Sequence, residues 1–271
     1  MRQGNRRAKR PGAQAYRRSH HDRPRQGKSG TGASDASSVT LYGWHTVKAA
    51  LENPNRRIRR LLATENAMRR LVDEGIPCEI KPELVRPDAI ARRLSADAVH
   101  NGILAEADAL PSLELEDIPP AGMVLLLDQL TDPHNVGAIM RVAAAFDVAA
   151  VITTARHSPQ ASGVLAKSAS GALESVPMVP VQNLARAMNI LRAQGFFVLG
   201  LDGAAEGELG QKNWRIPLAL VLGAEGKGLR QRTKETCDAL ARLHLPGKMQ
   251  TLNVSNAAAL ALYITSSRTT G

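Results

Sequence analysis

The sequence predicts an α/β protein, with a parallel sheet in its C-terminal part and a smaller α/β unit in front of it. Three observations carry this. Met123 to Leu127 (MVLLL) is a continuous apolar run that ends at Asp128, as a central parallel strand buried on both faces requires. Short apolar runs and helical patterns alternate on both sides of it. Between the two halves, Leu110 to Gly122 (LPSLELEDIPPAG) collects prolines and acids and reads as a linker. At 271 residues and 44% hydrophobic composition, the chain can bury a core in each half.

The elements follow in order. From Val39 the composition becomes globular, and the spacing predicts a helix at His45 to Glu52, a strand over Ile58 to Ala63 and a helix over Asn66 to Glu74. A strand near Cys78 to Lys81, a helix around Pro87 to Arg93 and a strand at Gly102 to Ala107 complete the smaller domain, residues 39–109. In the larger one, residues 123–271, a helix is expected over Val136 to Phe146 and a strand over Ala149 to Thr153. The alternation continues through Leu184 to Gln194, Phe196 to Leu201 and Leu218 to Gly223. A helix starting near Ser255 is expected from the capping residues Asn253, Ser255 and Asn256 ahead of an alanine-rich run.

Composition narrows the function. The net charge of +10 is concentrated in Met1 to Ser38, where ten Lys/Arg face two Asp/Glu. This tail has no apolar periodicity and is expected to be disordered, serving either as a solubilising extension or as an arm for phosphates. Aromatic residues make up only 3%, which leaves few candidates for stacking bases on an aromatic platform. No apolar run is long enough to span a bilayer, and the N-terminus lacks the apolar core of a signal peptide, so the chain reads as cytoplasmic. Cys78 and Cys237 have no paired spacing, so neither zinc nor a disulfide is expected, and no metal site is predicted.

In parallel sheets, ligands bind beyond the carboxyl ends of the strands, and three loops there are unusual. The first, Asp128 to Arg141 (DQLTDPHNVGAIMR), fixes its path with Pro133 and offers Asn135 as a helix cap. Arg141 lies six residues further on, about 120° around the helix from Asn135. The second, Leu220 to Leu229 (LVLGAEGKGL), runs a strand into Gly223, Gly226 and Gly228 with Glu225 and Lys227 between them. Its spacing fits neither a P-loop nor a dinucleotide fingerprint, which leaves a tight turn or a turn that makes room for a flat ligand. The third is Leu243 to Tyr263 (LHLPGKMQTLNVSNAAALALY), a punctuated loop feeding the alanine-rich helix.

Taken in order, DPHNVGAIMR, LGAEGKGL and LPGKMQTLNVSNAAALALY closely resemble the three signature motifs of the SpoU/TrmH-type RNA 2'-O-ribose methyltransferases of the SPOUT class. Leu41 to Ala50 (LYGWHTVKAA) and Val99 to Ala105 (VHNGILA) resemble the start and end of the small RNA-binding domain of the subgroup that methylates a guanosine of large-subunit ribosomal RNA. Lys167 to Pro177 (KSASGALESVP) is similar to a further family segment. His244 stands where the family usually has Pro, and Thr251 where it usually has Ser.

The resemblance implies a Rossmann-like C-terminal domain with a deep trefoil knot, S-adenosylmethionine bent within it, and a homodimer with the knots facing each other. Gly223, Leu243 and Leu252 would hold the cofactor. Arg141 matches the family's catalytic arginine, and a guanidinium that hardly deprotonates serves best as a clamp for phosphate and developing alkoxide. Asn135, Glu225, Asn253 and Ser255 would orient ribose, nucleotide or that arginine. Arg56, Arg57, Arg59 and Arg60 form either a patch for ribosomal RNA phosphates or a solvated face. Methylation of transfer RNA, or a non-catalytic role in RNA binding or ribosome assembly, are the alternatives.

Overall fold

The computed structural model describes residues 38–156 and 162–269, so all of the basic tail but Ser38 lies outside the described residues. The apolar run that anchored the sequence reading becomes β5 (Met123–Asp128), whose six residues are all buried. It lies inside a six-stranded sheet of order β10-β8-β9-β5-β6-β7, in which every pairing is parallel. The other strands are β6 (Ala150–Thr154), β7 (Met178–Val181), β8 (Phe197–Leu201), β9 (Leu218–Gly223) and β10 (Ala239–Ala241). Among the described residues five helices accompany them: α4 (Pro133–Ala145), α5 (Gly163–Ala169), α6 (Leu184–Ala193), α7 (Gln231–Thr236) and α8 (Val254–Thr269).

Strand alternation explains why β5 must be apolar on both sides. Leu125 and Leu127 pack with Val136, Ile139 and Met140 of α4 and with Ala258 and Leu262 of α8. Val124 and Leu126 turn the other way, onto Leu184, Met188 and Leu191 of α6. Leu115 and Ile118 join that second face, so the expected linker is seated on the sheet there, with a 3-10 turn over Leu115–Asp117. Because the sheet is wholly parallel, all the loops that follow its strands leave from one edge. This is the edge where the three unusual loops meet.

Ahead of it stands a small α/β domain of four strands in the order β1-β4-β2-β3. Its elements are β1 (Ser38–Tyr42), α1 (Trp44–Glu52), β2 (Ile58–Ala63), α2 (Glu65–Asp73), β3 (Glu83–Leu84), α3 (Pro87–Ala91) and β4 (Ile103–Asp108). Leu41, Trp44, Val47, Leu61, Leu71 and Ile103 are among its core residues. The strand expected near Cys78 to Lys81 does not form. The chain there has no sheet partner and reaches β2 only at Glu83 and Leu84, opposite Leu62 and Ala63. β1, β7 and β10, which sequence reasoning did not assign, are present.

Candidate active site at the carboxyl edge

The first loop leaves β5 through Gln129, in the left-handed region at φ 61. The cap of α4 is Asp132, whose side chain accepts from the His134 amide at 3.0 Å, with Pro133 in the first turn. Asn135 therefore is not the cap, because Asp132 and Pro133 start the helix three residues earlier than its side chain needs. Its amide oxygen is released for a different bond.

The second loop folds back on itself. Gly228 donates its amide to Ala224 O at 2.8 Å, and a Cβ on Gly223 would lie 2.2 Å from the carbonyl carbon of Gly228. Gly226 and Gly228 take φ of 74° and 64°, which side chains rarely adopt. Glycine is thus required at Gly223 for space and at the other two for backbone angle. The turn carries Glu225 and Lys227 exposed on its tip.

Asn253 joins all three loops. Its Oδ1 accepts from the Ser255 amide at 2.9 Å and from Ser255 Oγ at 2.6 Å, capping α8, while its carbonyl accepts from Ala257 N at 3.0 Å. Its Nδ2 donates to Asn135 Oδ1 of the first loop at 3.0 Å and to Glu225 Oε2 of the second at 3.5 Å. The structure therefore brings Asn135, Glu225, Asn253 and Ser255 together, as the sequence reading grouped them. Gly223 heads the second loop beside them, and Leu243 and Leu252 at the ends of the third are half-buried.

Arg141 stands apart. Six residues along α4, it is about 9 Å further down the axis than Asn135 and faces another side. It is exposed, its side chain makes no ion pair or hydrogen bond among the described residues, and it lines an open groove of about 520 Å³ with Asn53, Ser170, Glu174 and Ser175.

Sequence reasoning missed two supports of this site. Asp128, 0% exposed at the end of β5, accepts from Arg230 N at 3.0 Å and Arg230 Nε at 2.7 Å. It thereby ties the first loop to the end of the second, and the signal was an acid closing an all-apolar strand, since a buried carboxylate needs donors. His134 Nδ1 lies 3.1 Å from Ser168 Oγ, linking α4 to α5. His244 stands 3.0 Å from Glu208 Oε1, and this contact, ahead of Arg242, holds the Glu208 carboxyl below the usual range. Among the described residues no cluster of His, Cys, Asp or Glu could hold a metal ion.

The arginines expected to grip phosphate are differently employed. Arg56 is buried in an ion pair with Glu174, because that carboxylate sits directly behind the α1–β2 turn; this corrects its reading as a phosphate contact. Arg59 pairs with the half-buried Asp108, and Arg60 with Glu83 at the surface. Arg57 is exposed and, alone of the four, pairs with no acid among the described residues.

The pattern of the "SpoU rRNA Methylase family" matches residues 122–263, and that for "RNA 2'-O ribose methyltransferase substrate binding" matches residues 40–113. The chain belongs to the SpoU rRNA methylase family. It is similar to the 23S rRNA (guanosine-2'-O-)-methyltransferase RlmB of Pseudomonas putida, with 35% identity covering 82% of this chain and 94% of the relative. The namesake from Ralstonia nicotianae is 37% identical over 84% of this chain and 95% of the relative. Among solved SpoU structures, AviRb from Streptomyces viridochromogenes superposes with a TM-score of 0.73 at 23% identity, covering 86% of this chain and 91% of that one. An rRNA methyltransferase from Sinorhizobium meliloti gives 0.72 at 20%, covering 86% and 87%. Both show the fold.

Proposed function

We propose that this chain methylates the 2'-oxygen of a ribose in RNA, with S-adenosylmethionine as donor and a guanosine of 23S ribosomal RNA as target. The observation that carries the reading is the convergence of the three family loops on Asn253, in a chain similar over most of its length to enzymes named for that reaction.

The residues at the edge fit the donor. A loop of glycines offers backbone without side chains, and the half-buried Leu243 and Leu252, at the ends of the third loop, would supply apolar surface for a flat base. Bound there, S-adenosylmethionine supplies a sulfonium methyl group. Gly223, Leu243 and Leu252 hold and orient it. Asn135, Glu225, Asn253 and Ser255 fix the geometry of the loops and present polar groups to the ribose, which is the positioning an in-line displacement needs. Arg141 clamps phosphate and the oxygen that gains negative charge. The 2'-hydroxyl separates RNA from DNA, so the chemistry itself defines the substrate class. Residues 39–109 hold the RNA, with Arg57 available to a phosphate.

The offset of Arg141 from the Asn253 cluster favours a homodimer in which each protomer lends its arginine to the partner's site. Leu260 and Tyr263, 43% and 63% exposed on α8, supply apolar surface for that contact. A trefoil knot is supported by the route of the chain: it leaves β10 at the sheet edge and returns to the middle, where α8 packs on α4 and β9.

Arg141→Ala is expected to abolish methyl transfer to RNA while leaving S-adenosylmethionine binding, read by calorimetry, within about threefold of the parent. Full activity in that variant would overturn the role of Arg141. Mapping ribose methylation in total RNA of a deletion strain tests the target, and unchanged 23S ribosomal RNA would overturn that assignment.

A further inference from the structure

Arg56 and Glu174 face inward at the junction of the two sheets. Arg56 Nε and Nη2 donate to the two carboxylate oxygens of Glu174 at 3.0 and 2.7 Å, and its Nη1 donates to Asp108 O at 2.7 Å. Asn53 Nδ2 adds bonds to Glu174 Oε2 at 2.8 Å and to its backbone carbonyl at 3.3 Å. The two charged side chains are only 5% and 7% exposed. Asn53 and Arg56 lie in the turn between α1 and β2 of the small domain. Glu174 ends the 3-10 turn Ala172–Glu174 that follows α5.

The packing around this pair is loose. A cavity of about 430 Å³, lined mainly by apolar groups including Val39, Leu110, Leu173 and Pro180, reaches Arg56 from one side. The open groove that holds Arg141 reaches Asn53 and Glu174 from the other. Apolar surfaces with space between them do not select one register, whereas a bidentate guanidinium–carboxylate bond is directional. The wedge it grips is rigidly seated behind: α5 rests on α4 where Gly137 meets Ser168 and Ala169, next to the His134–Ser168 contact.

We propose that Glu174, with Arg56 and Asn53, is the positioning element that sets the small domain over the Arg141 groove. A ribose–phosphate strand held by the small domain is thereby laid against that arginine. This rests on the reading of the chain as an RNA 2'-O-methyltransferase. Glu174 acts through Arg56 and Asn53 rather than on the reacting atoms.

Two conservative variants and their combination test it. Glu174→Gln keeps the shape and removes the charge, and Arg56→Lys keeps the charge but cannot span both oxygens. Each is expected to lower kcat/KM for RNA about tenfold or more with the Kd for S-adenosylmethionine within about twofold, and the double variant to be within about threefold of the worse single. Unchanged RNA kinetics would overturn the proposal. So would additive losses, which would give Arg56 a separate RNA contact, and so would loss of donor binding in the singles, which would make the pair part of the catalytic domain's own fold. A parent protein that neither binds the donor nor transfers methyl would sink the enzymatic reading alone. In that case amide exchange still reads the latch: Glu174→Gln is expected to speed exchange in residues 44–56 and 163–175, and unchanged exchange there would refute it.

Discussion

Asp128 carries a charge into the fully enclosed end of β5, and the two hydrogen bonds from Arg230 are what make that placement tolerable. Asp128→Ala leaves the Arg230 amide without its acceptor, and unfolding in urea is expected to show a loss of about 1–3 kcal/mol. Because Arg230 directly follows the glycine loop, the same variant is expected to weaken donor binding in calorimetry, and Asp128→Asn, which keeps an acceptor, to weaken it less. Cys237 makes a different residue-scale case. Burial pushes its thiol up to about 12, and its Sγ donates to Thr233 O at 3.2 Å. Only thiolate reacts, so iodoacetamide at pH 8 is expected to leave Cys237 untouched and to modify the exposed Cys78, giving one adduct by intact mass before denaturation and two after it. The expectation of two unpaired thiols came from spacing; the contrast in their surroundings depends on partners far away in sequence, which spacing does not encode.

The decisive contact between elements is that of α4 and α5. A Cβ on Gly137 would sit 2.4 Å from Ser168 Cβ and 2.9 Å from the Ala169 amide nitrogen. Gly137→Ala gains about 1 kcal/mol of helix propensity but must displace backbone, at about 1–3 kcal/mol. The clash is expected to win, lowering the urea midpoint and reducing methyl transfer together, since α4 carries both Asn135 and Arg141. Much of the architecture was legible at this scale. β5 and β9 announced themselves as apolar runs, and α8 was foretold by its cap and alanines. What escaped was short or depended on partners: β10 has three residues, β7 contains Pro180, and β3 is only two residues long. The cap of α4 was misplaced because Asp132 and Asn135 are both good capping residues, and only the position of Pro133 in the first turn decides between them. Likewise the arginines at 56–60 read as one patch in sequence, yet alternation along β2 and the turn before it sends them to different partners.

For the whole molecule, acid sensitivity follows from carboxylates held by cations. Hydrogen bonds from Lys48 and then Arg70 lower Glu74 from 4.5 to about 2, Arg60 lowers Glu83, and His244 lowers Glu208. Folded values below the unfolded one mean that the stabilisation is present above about pH 4.5 and is lost as pH falls through the depressed values. Thermal melts are therefore expected to hold their midpoint from neutral pH to about pH 5 and to drop below it, with added salt shrinking the effect because these groups lie near the surface. The site legible in the sequence was a set of loops; its unity is a property of the assembled chain, since Asn253 reaches partners 118 and 28 residues before it. That reach sets an order of events during synthesis. Strand β5 emerges from the ribosome well before residue 253 and the glycine loop shortly before it, and until that asparagine arrives and α8 packs, neither Asn135 nor Glu225 has its tie. A nascent chain can thus hold a finished small domain while the loop edge of the parallel sheet is still open, so the three loops are joined only at a late step of the chain's own translation.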